Sequence, residues 1–185
     1  MPGDRYSRLK NRSAMTFAEL MVVVLIVSFF VLMAYMNLSG LLRKNIFKAQ
    51  VHELISLMQM AARGAAESDR KYEMIIDITE QKYILREITS SNLSEVLEEE
   101  IIAENDFGKN CRVSYVLFDD SQYTNEGKAK FRAGLSGWQY GGIIVLLDQE
   151  QEPYSIVVNR LGGTVTLEQG EAKVPEPKFK DDVPF

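Results

Sequence analysis

The chain has one cysteine, Cys111, and one histidine, His52. A lone cysteine excludes an intramolecular disulfide, even in an oxidising compartment. Its most economical role is that of a small buried hydrophobe. A single histidine argues against a catalytic triad or a His-based zinc site within one chain. The glycine pairs Gly141-Gly142 and Gly162-Gly163 lack the Walker lysine and the dinucleotide spacing, so they read as turns or bulges. No charged, proline or glycine residue interrupts the run from Leu20 to Met36, and Ser28 is its one polar side chain. No internal repeat is visible.

That uninterrupted run organises the rest of the chain. Residues 15–37 read MTFAELMVVVLIVSFFVLMAYMN. A helix of this length comes close to the roughly 30 Å of a bilayer's hydrocarbon core at about 1.5 Å rise per residue. Glu19 sits just inside it, where an ionised carboxylate would cost about 2.5–3.5 kcal/mol at mid-bilayer and less near the interface. Thr16 and Phe17, beside it, carry packing roles and no charge. Ahead lies a polar leader, residues 1–14, with Arg5, Arg8, Lys10 and Arg12 against Asp4 alone.

A secretory signal would have an apolar core of about 7–15 residues followed by a small-x-small cleavage site. This core is longer, and Asn37-Leu38-Ser39-Gly40 follows it. A plain signal anchor accounts for the length and the basic flank but leaves Glu19 without a role.

Removing the leader leaves 17 of the 21 basic and 25 of the 26 acidic residues, a net charge of −8. Basic residues before the helix and an acidic body after it fit the positive-inside pattern, with the body exported. An acidic body also argues against non-specific nucleic-acid binding, which depends on neutralising phosphates.

Beyond Gly40 the apolar pattern becomes periodic. Phe47, Val51, Leu54, Met58, Ala61 and Ala65 recur at spacings of three and four, which is one helical face. One helix is expected from Thr16 to Ser68, its first half in lipid and its second half amphipathic. Gly40 is its weak point, costing about 1 kcal/mol relative to Ala. The stripe spans only about three heptads, so packing on a sheet of the same chain is expected rather than a coiled coil.

The period then shifts to that of strands. Residues 72–79 and 82–88 form a hairpin around Glu80-Gln81, without the favoured Asn-Gly or Asp-Gly turn. Residues 90–94 read as loop, and 95–104 as strand or short helix. Strands are expected at 112–118, 128–133, 140–148, 154–159 and 163–167, ahead of a charged tail. The architecture is α+β: a long helix packed by its stripe on an antiparallel sheet. The segments are a leader (1–14), a transmembrane helix (15–38), an amphipathic helix (39–70), a β-rich domain (71–167) and a flexible charged tail (168–185).

The acidic residues Glu95, Glu98, Glu99, Glu100, Glu104 and Asp106 suggest a solvated face more than a calcium site, since their spacing matches no EF-hand loop. Asp119-Asp120 and Asp181-Asp182 point to metal no more strongly. Trp138, Tyr140 and Tyr123 could form a contact patch, but core packing is the simpler role.

The basic leader, Ala14, then Met15-Thr16-Phe17-Ala18-Glu19 opening an apolar helix, resembles the signal of type IV prepilins and type II secretion pseudopilins. The resemblance implies a cut by a prepilin peptidase between Ala14 and Met15, N-methylation of Met15, and a filament-assembly role for Glu19, which would neutralise the new amine. Ala14 stands where glycine is usual, and Met15 where phenylalanine is commoner. The stretch from Gly141 to Leu146 and that from Ser155 to Val165 resemble the end of GspH/FimT minor pseudopilins. The family's fold is pilin-like, with the helix packed on an antiparallel sheet domain.

The implied function is structural: a minor pseudopilin of a periplasmic pseudopilus, rooted in the bacterial inner membrane, with its C-terminal domain in the periplasm. Its partners would be prepilin peptidase, other pseudopilins and inner-membrane lipid. No cofactor, metal, nucleic acid or small-molecule substrate is implied, and no catalysis. The alternative within the resemblance is a FimT-like minor pilin of a type IV pilus, serving DNA uptake, adhesion or motility. Against DNA, the turn at Arg160 to Val165 carries one arginine and no basic cluster. A third reading, an anchored periplasmic enzyme, finds no catalytic constellation.

Overall fold

A computed structural model describes residues 16–89, 96–160 and 163–174. The peptidase junction expected at Ala14 and Met15, and the loop at 90–94, lie outside the described residues. The chain divides into two compact units, Met1–Leu41 and Leu42–Phe185. Helix α1 is assigned from Phe17 to Ser68.

In the first unit, residues Phe17–Met36 form a helix long and apolar enough to cross a membrane. Its large side chains are exposed, Phe17 by 77% and Leu25 by 72%. An apolar surface of this extent needs lipid or protein to cover it. The hydroxyl of Ser28 donates to the carbonyl of Val24 at 2.8 Å, so the polar residue within the run is satisfied inside the helix.

The second unit is α+β. Its strands are β1 (Tyr72–Asp77), β2 (Lys82–Glu87), β3 (Ile101–Asp106), β4 (Cys111–Phe118), β5 (Tyr123–Thr124), β6 (Lys128–Gly134), β7 (Gly137–Trp138), β8 (Gly142–Asp148), β9 (Pro153–Val158) and β10 (Val165–Gln169). Where the sequence predicts one sheet, these strands form two. Sheet A runs β3-β2-β1-β6-β7 and sheet B runs β10-β9-β8-β4-β5. The pairings are antiparallel throughout.

Both sheets and the helix share one core. The stripe Phe47, Val51, Leu54, Met58, Ala61 and Ala65 is buried, and it clusters with Met74, Ile76, Leu85 and Phe131 of sheet A and with Val116, Ile144, Leu146 and Ile156 of sheet B. The helix stops because Asp69 takes a left-handed conformation, φ 49°, the usual geometry just past a helix end. Gly64 leaves room for the ring of Tyr72, whose nearest carbon would stand 3.3 Å from an added Cβ.

The first hairpin turns at residues 78–81 without glycine. Gln81 takes the positive φ, 53°. Its side chain offsets that strain: Nε2 donates to the carbonyl of Val113 at 3.0 Å, and Oε1 accepts from the Val113 amide at 2.9 Å. One turn residue thus stitches sheet A to strand β4 of sheet B, beside the irregularity between Val113 and Tyr115.

The segment read as strand or helix contains both. A 3-10 turn, Glu98–Glu100, leads directly into β3. At the other end, the sheet domain extends past residue 167. Glu168 and Gln169 belong to β10, and Gly170, at φ 91°, redirects the chain. The hydroxyl of Ser155 donates to the carbonyl of Gly170 at 2.7 Å and accepts from the Ala172 amide at 2.9 Å. Ala172 and Val174 then pack on Ile143, Val145 and Val157, on the face of sheet B turned away from the core. Residues 175–185 lie outside the described residues.

Cys111 is buried, as its solitary occurrence predicts. Burial pushes its thiol up to about 12, from an ordinary 9.0. Only the unfolded chain then ionises there between those limits, so this group's effect is to lower stability as pH rises from about 9 through about 12. In the folded chain Cys111 should resist a thiol reagent at pH 8 and should react at once in denaturing urea. Rapid labelling of the folded protein would place it outside the core.

Candidate functional site

The start of α1 concentrates the sequence features that point to function. Thr16 precedes the first helical residue, and Glu19 stands three positions on. The Thr16 amide donates to Glu19 Oε2 at 3.1 Å, and the Glu19 amide donates to Thr16 Oγ1 at 3.3 Å. The Thr16 hydroxyl also donates to Glu19 Oε2, at 3.2 Å. This is a reciprocal capping box, which satisfies two amides that the first turn of a helix otherwise leaves without partners. The carboxylate also lies at the positive end of the helix dipole.

Glu19 therefore has a local structural role that its charge alone did not suggest. Thr16 is its direct partner, not a neutral packing residue. The signal was present in the sequence: Thr-x-x-Glu before an apolar run is the pattern of such a cap.

A second cluster lies on the face of sheet A turned away from the core. Strand alternation places Glu73 of β1 between Arg86 of β2 and Arg132 of β6. Glu73 meets Arg86 at 2.6 Å and Arg132 at 2.6 Å. Glu100, entering from the 3-10 turn, meets Arg86 at 3.2 Å. Its other oxygen accepts from the Thr89 amide at 3.0 Å and the Thr89 hydroxyl at 2.7 Å. Glu73 and Arg86 are fully buried.

Among the described residues two guanidinium groups meet two carboxylates, and the hydrogen bonds offset the large cost of removing those charges from water. The arrangement holds the segment around residues 89 and 100 against the sheet. Of the acidic run, Glu100 is thus a buried structural group. Glu98, Glu99, Glu104 and Asp106 are exposed, and Glu95 lies outside the described residues. Among the described residues, no group of three or more His, Cys, Asp or Glu side chains is placed to hold a metal ion.

The aromatic residues do not form one patch. Trp138 is buried, edge-on to Phe131 at 6.3 Å; Tyr140 meets Phe118 at 6.1 Å; Tyr123 lies on Tyr115 at 5.2 Å. Gly142 is required by close approach: a Cβ there would stand 2.4 Å from the carbonyl oxygen of Leu117. Arg160, at the later turn, is 3.9 Å from Asp119, which also accepts from the Gly141 amide at 3.1 Å. Gly162 lies outside the described residues. Comparison with protein-family models, with curated proteins and with solved structures gave no match. The site's meaning therefore rests on its own chemistry.

Proposed function

We propose that this chain is a minor pseudopilin of a type II secretion system, a structural subunit of a periplasmic filament rooted in the inner membrane. The observation that carries the reading is Glu19. It is the fifth residue counted from Met15 and opens the apolar helix, behind a basic leader that ends in Ala14. The amphipathic second half of α1, packed on antiparallel sheets, supports a pilin-like arrangement. The apolar surface of residues 17–36 supports single-pass anchoring, with the acidic unit on the periplasmic side.

On this reading the cut after Ala14 frees an amine at Met15, and a methyl group is then added to it. Glu19 supplies the compensating carboxylate, within its own chain or to a neighbouring subunit, and so sets the axial register of packed helices. The chain's work is mechanical and needs no bound cofactor. A pilus subunit that binds DNA is the less favoured reading: Arg160 is close to Asp119, and the mature charge is −8.

Coexpression with a prepilin peptidase should shorten the chain by its first 14 residues. Intact mass and N-terminal sequencing should report a methylated Met15. Ala14→Gly should be cut at least as well, and Ala14→Glu should block the cut. A mature terminus located after the apolar run would make this an ordinary secreted protein and overturn the proposal.

A further inference from the structure

Sheet A carries opposite charges on its two sides. On the face turned away from the core, one row across the strands reads Asp106, Lys82, Asp77, Lys128. The next parallel row reads Glu104, Ile84, Ile75, Lys130. Each row begins with an acid on β3 and ends with a base on β6. Within the first row, Lys128 lies 3.7 Å from Asp77.

β3 is an edge strand whose residues from Glu104 to Asp106 are exposed. The far side of β6 is covered by β7 only at Ala133 and Gly134, and the Gln139 amide closes on the carbonyl of Arg132 at 2.7 Å. Beside the remaining stretch, 128–131, runs a groove of about 230 Å³ lined by Gln122, Thr124, Lys128, Lys130, Arg132 and Gln139.

We propose that sheet A continues from one copy of this chain to another, with β3 of one copy pairing to the open edge of β6 in the next. The register carries this inference. From β3 to β6 the sheet holds four antiparallel strands, an even number. Shifting a copy sideways therefore brings β3 antiparallel to β6, with its outward amides and carbonyls in phase. The same shift sets Asp106 beside Lys128 and Glu104 beside Lys130, so the alternation of acid and base continues across the junction. Opposite charges directly across a strand pair favour it, and like charges oppose it.

The contact joins two different surfaces, so each copy offers one edge to the next and the pairing can repeat from copy to copy. It requires neither Glu19 nor the peptidase, and stands apart from the secretion reading.

The test uses the full chain in detergent micelles, as an equal mixture of light and nitrogen-15-labelled copies. A zero-length carbodiimide then joins amines to carboxylates in direct contact. Light-to-heavy links Lys128–Asp106 and Lys130–Glu104 are expected, whereas Lys128–Asp77 should form within single copies. Lys130→Glu and Glu104→Lys should each lower the light-to-heavy Lys128–Asp106 yield about tenfold. Mixing the two variants should restore it, since each then offers the charge the other needs. All variants keep residues 17–36, so helix association in the micelle is common to them. The proposal is overturned if light-to-heavy links at these residues are absent, if they persist in the separate variants, or if the mixture fails to recover them.

Discussion

Replacing Leu54 with Asp should abolish the cooperative unfolding transition of the second unit. Leu54 is fully buried, in the middle of the stripe that both sheets cover. A carboxylate placed there has no cation designed to meet it. Among the described residues the buried glutamates, Glu73 and Glu100, each have an arginine within hydrogen-bonding distance. An unpaired buried charge, added to the lost packing of a leucine, costs several kcal/mol. A domain of this kind has about 5–15 kcal/mol to lose. The measurement is a thermal or urea melt of the full chain in detergent, followed by near-ultraviolet circular dichroism of the aromatic core. Ile46→Asp is the matched control, because Ile46 is 47% exposed on the same helix. It should shift stability by no more than about 0.5 kcal/mol. An unchanged melt for Leu54→Asp would mean that the stripe faces solvent or another subunit.

The stripe was legible because its period is local: seven-residue spacing on one helix needs no knowledge of the rest of the chain. The division into two sheets was not legible, because pairing is a long-range choice. β1 pairs with β6, some fifty positions later, and the intervening strands β4 and β5 go to the other sheet. Their alternating patterns are the same whichever sheet receives them. The buried ion cluster was hidden for a related reason. Glu73, Arg86, Glu100 and Arg132 look like solvated charges one at a time, and only the register brings them together. The strap at 170–174 resembled a polar tail because its two small apolar residues are separated by a lysine. By contrast, the cap at Thr16 and Glu19 was written in four consecutive residues. There the signal is local, and the same carboxylate that caps the helix also carries the charge that the apolar run leaves conspicuous.

Glu19→Gln should abolish assembly beside neighbouring subunits while leaving the start of the helix intact. Glutamine at the third helical position can still accept from the Thr16 amide and hydroxyl, and it serves in capping boxes as glutamate does. It carries no charge with which to neutralise the amine that the proposed cut frees at Met15. The variant should therefore be processed and should reach the membrane at least as well as the wild type, since removing a charge eases insertion. Thr16→Ala makes the complementary change. It removes the hydroxyl that caps Glu19, at about 1 kcal/mol, and keeps the carboxylate. Assembly should survive it. Glu19→Leu loses both functions and should fail as Glu19→Gln does, so it cannot by itself distinguish charge from capping. The readout is disulfide trapping between cysteines engineered into the membrane helices of neighbouring subunits, together with the amount of protein secreted. Glu19→Gln should lose both signals and Thr16→Ala should keep both. The reverse pattern would assign Glu19 to capping alone, and the proposed pairing with the Met15 amine would have to be abandoned.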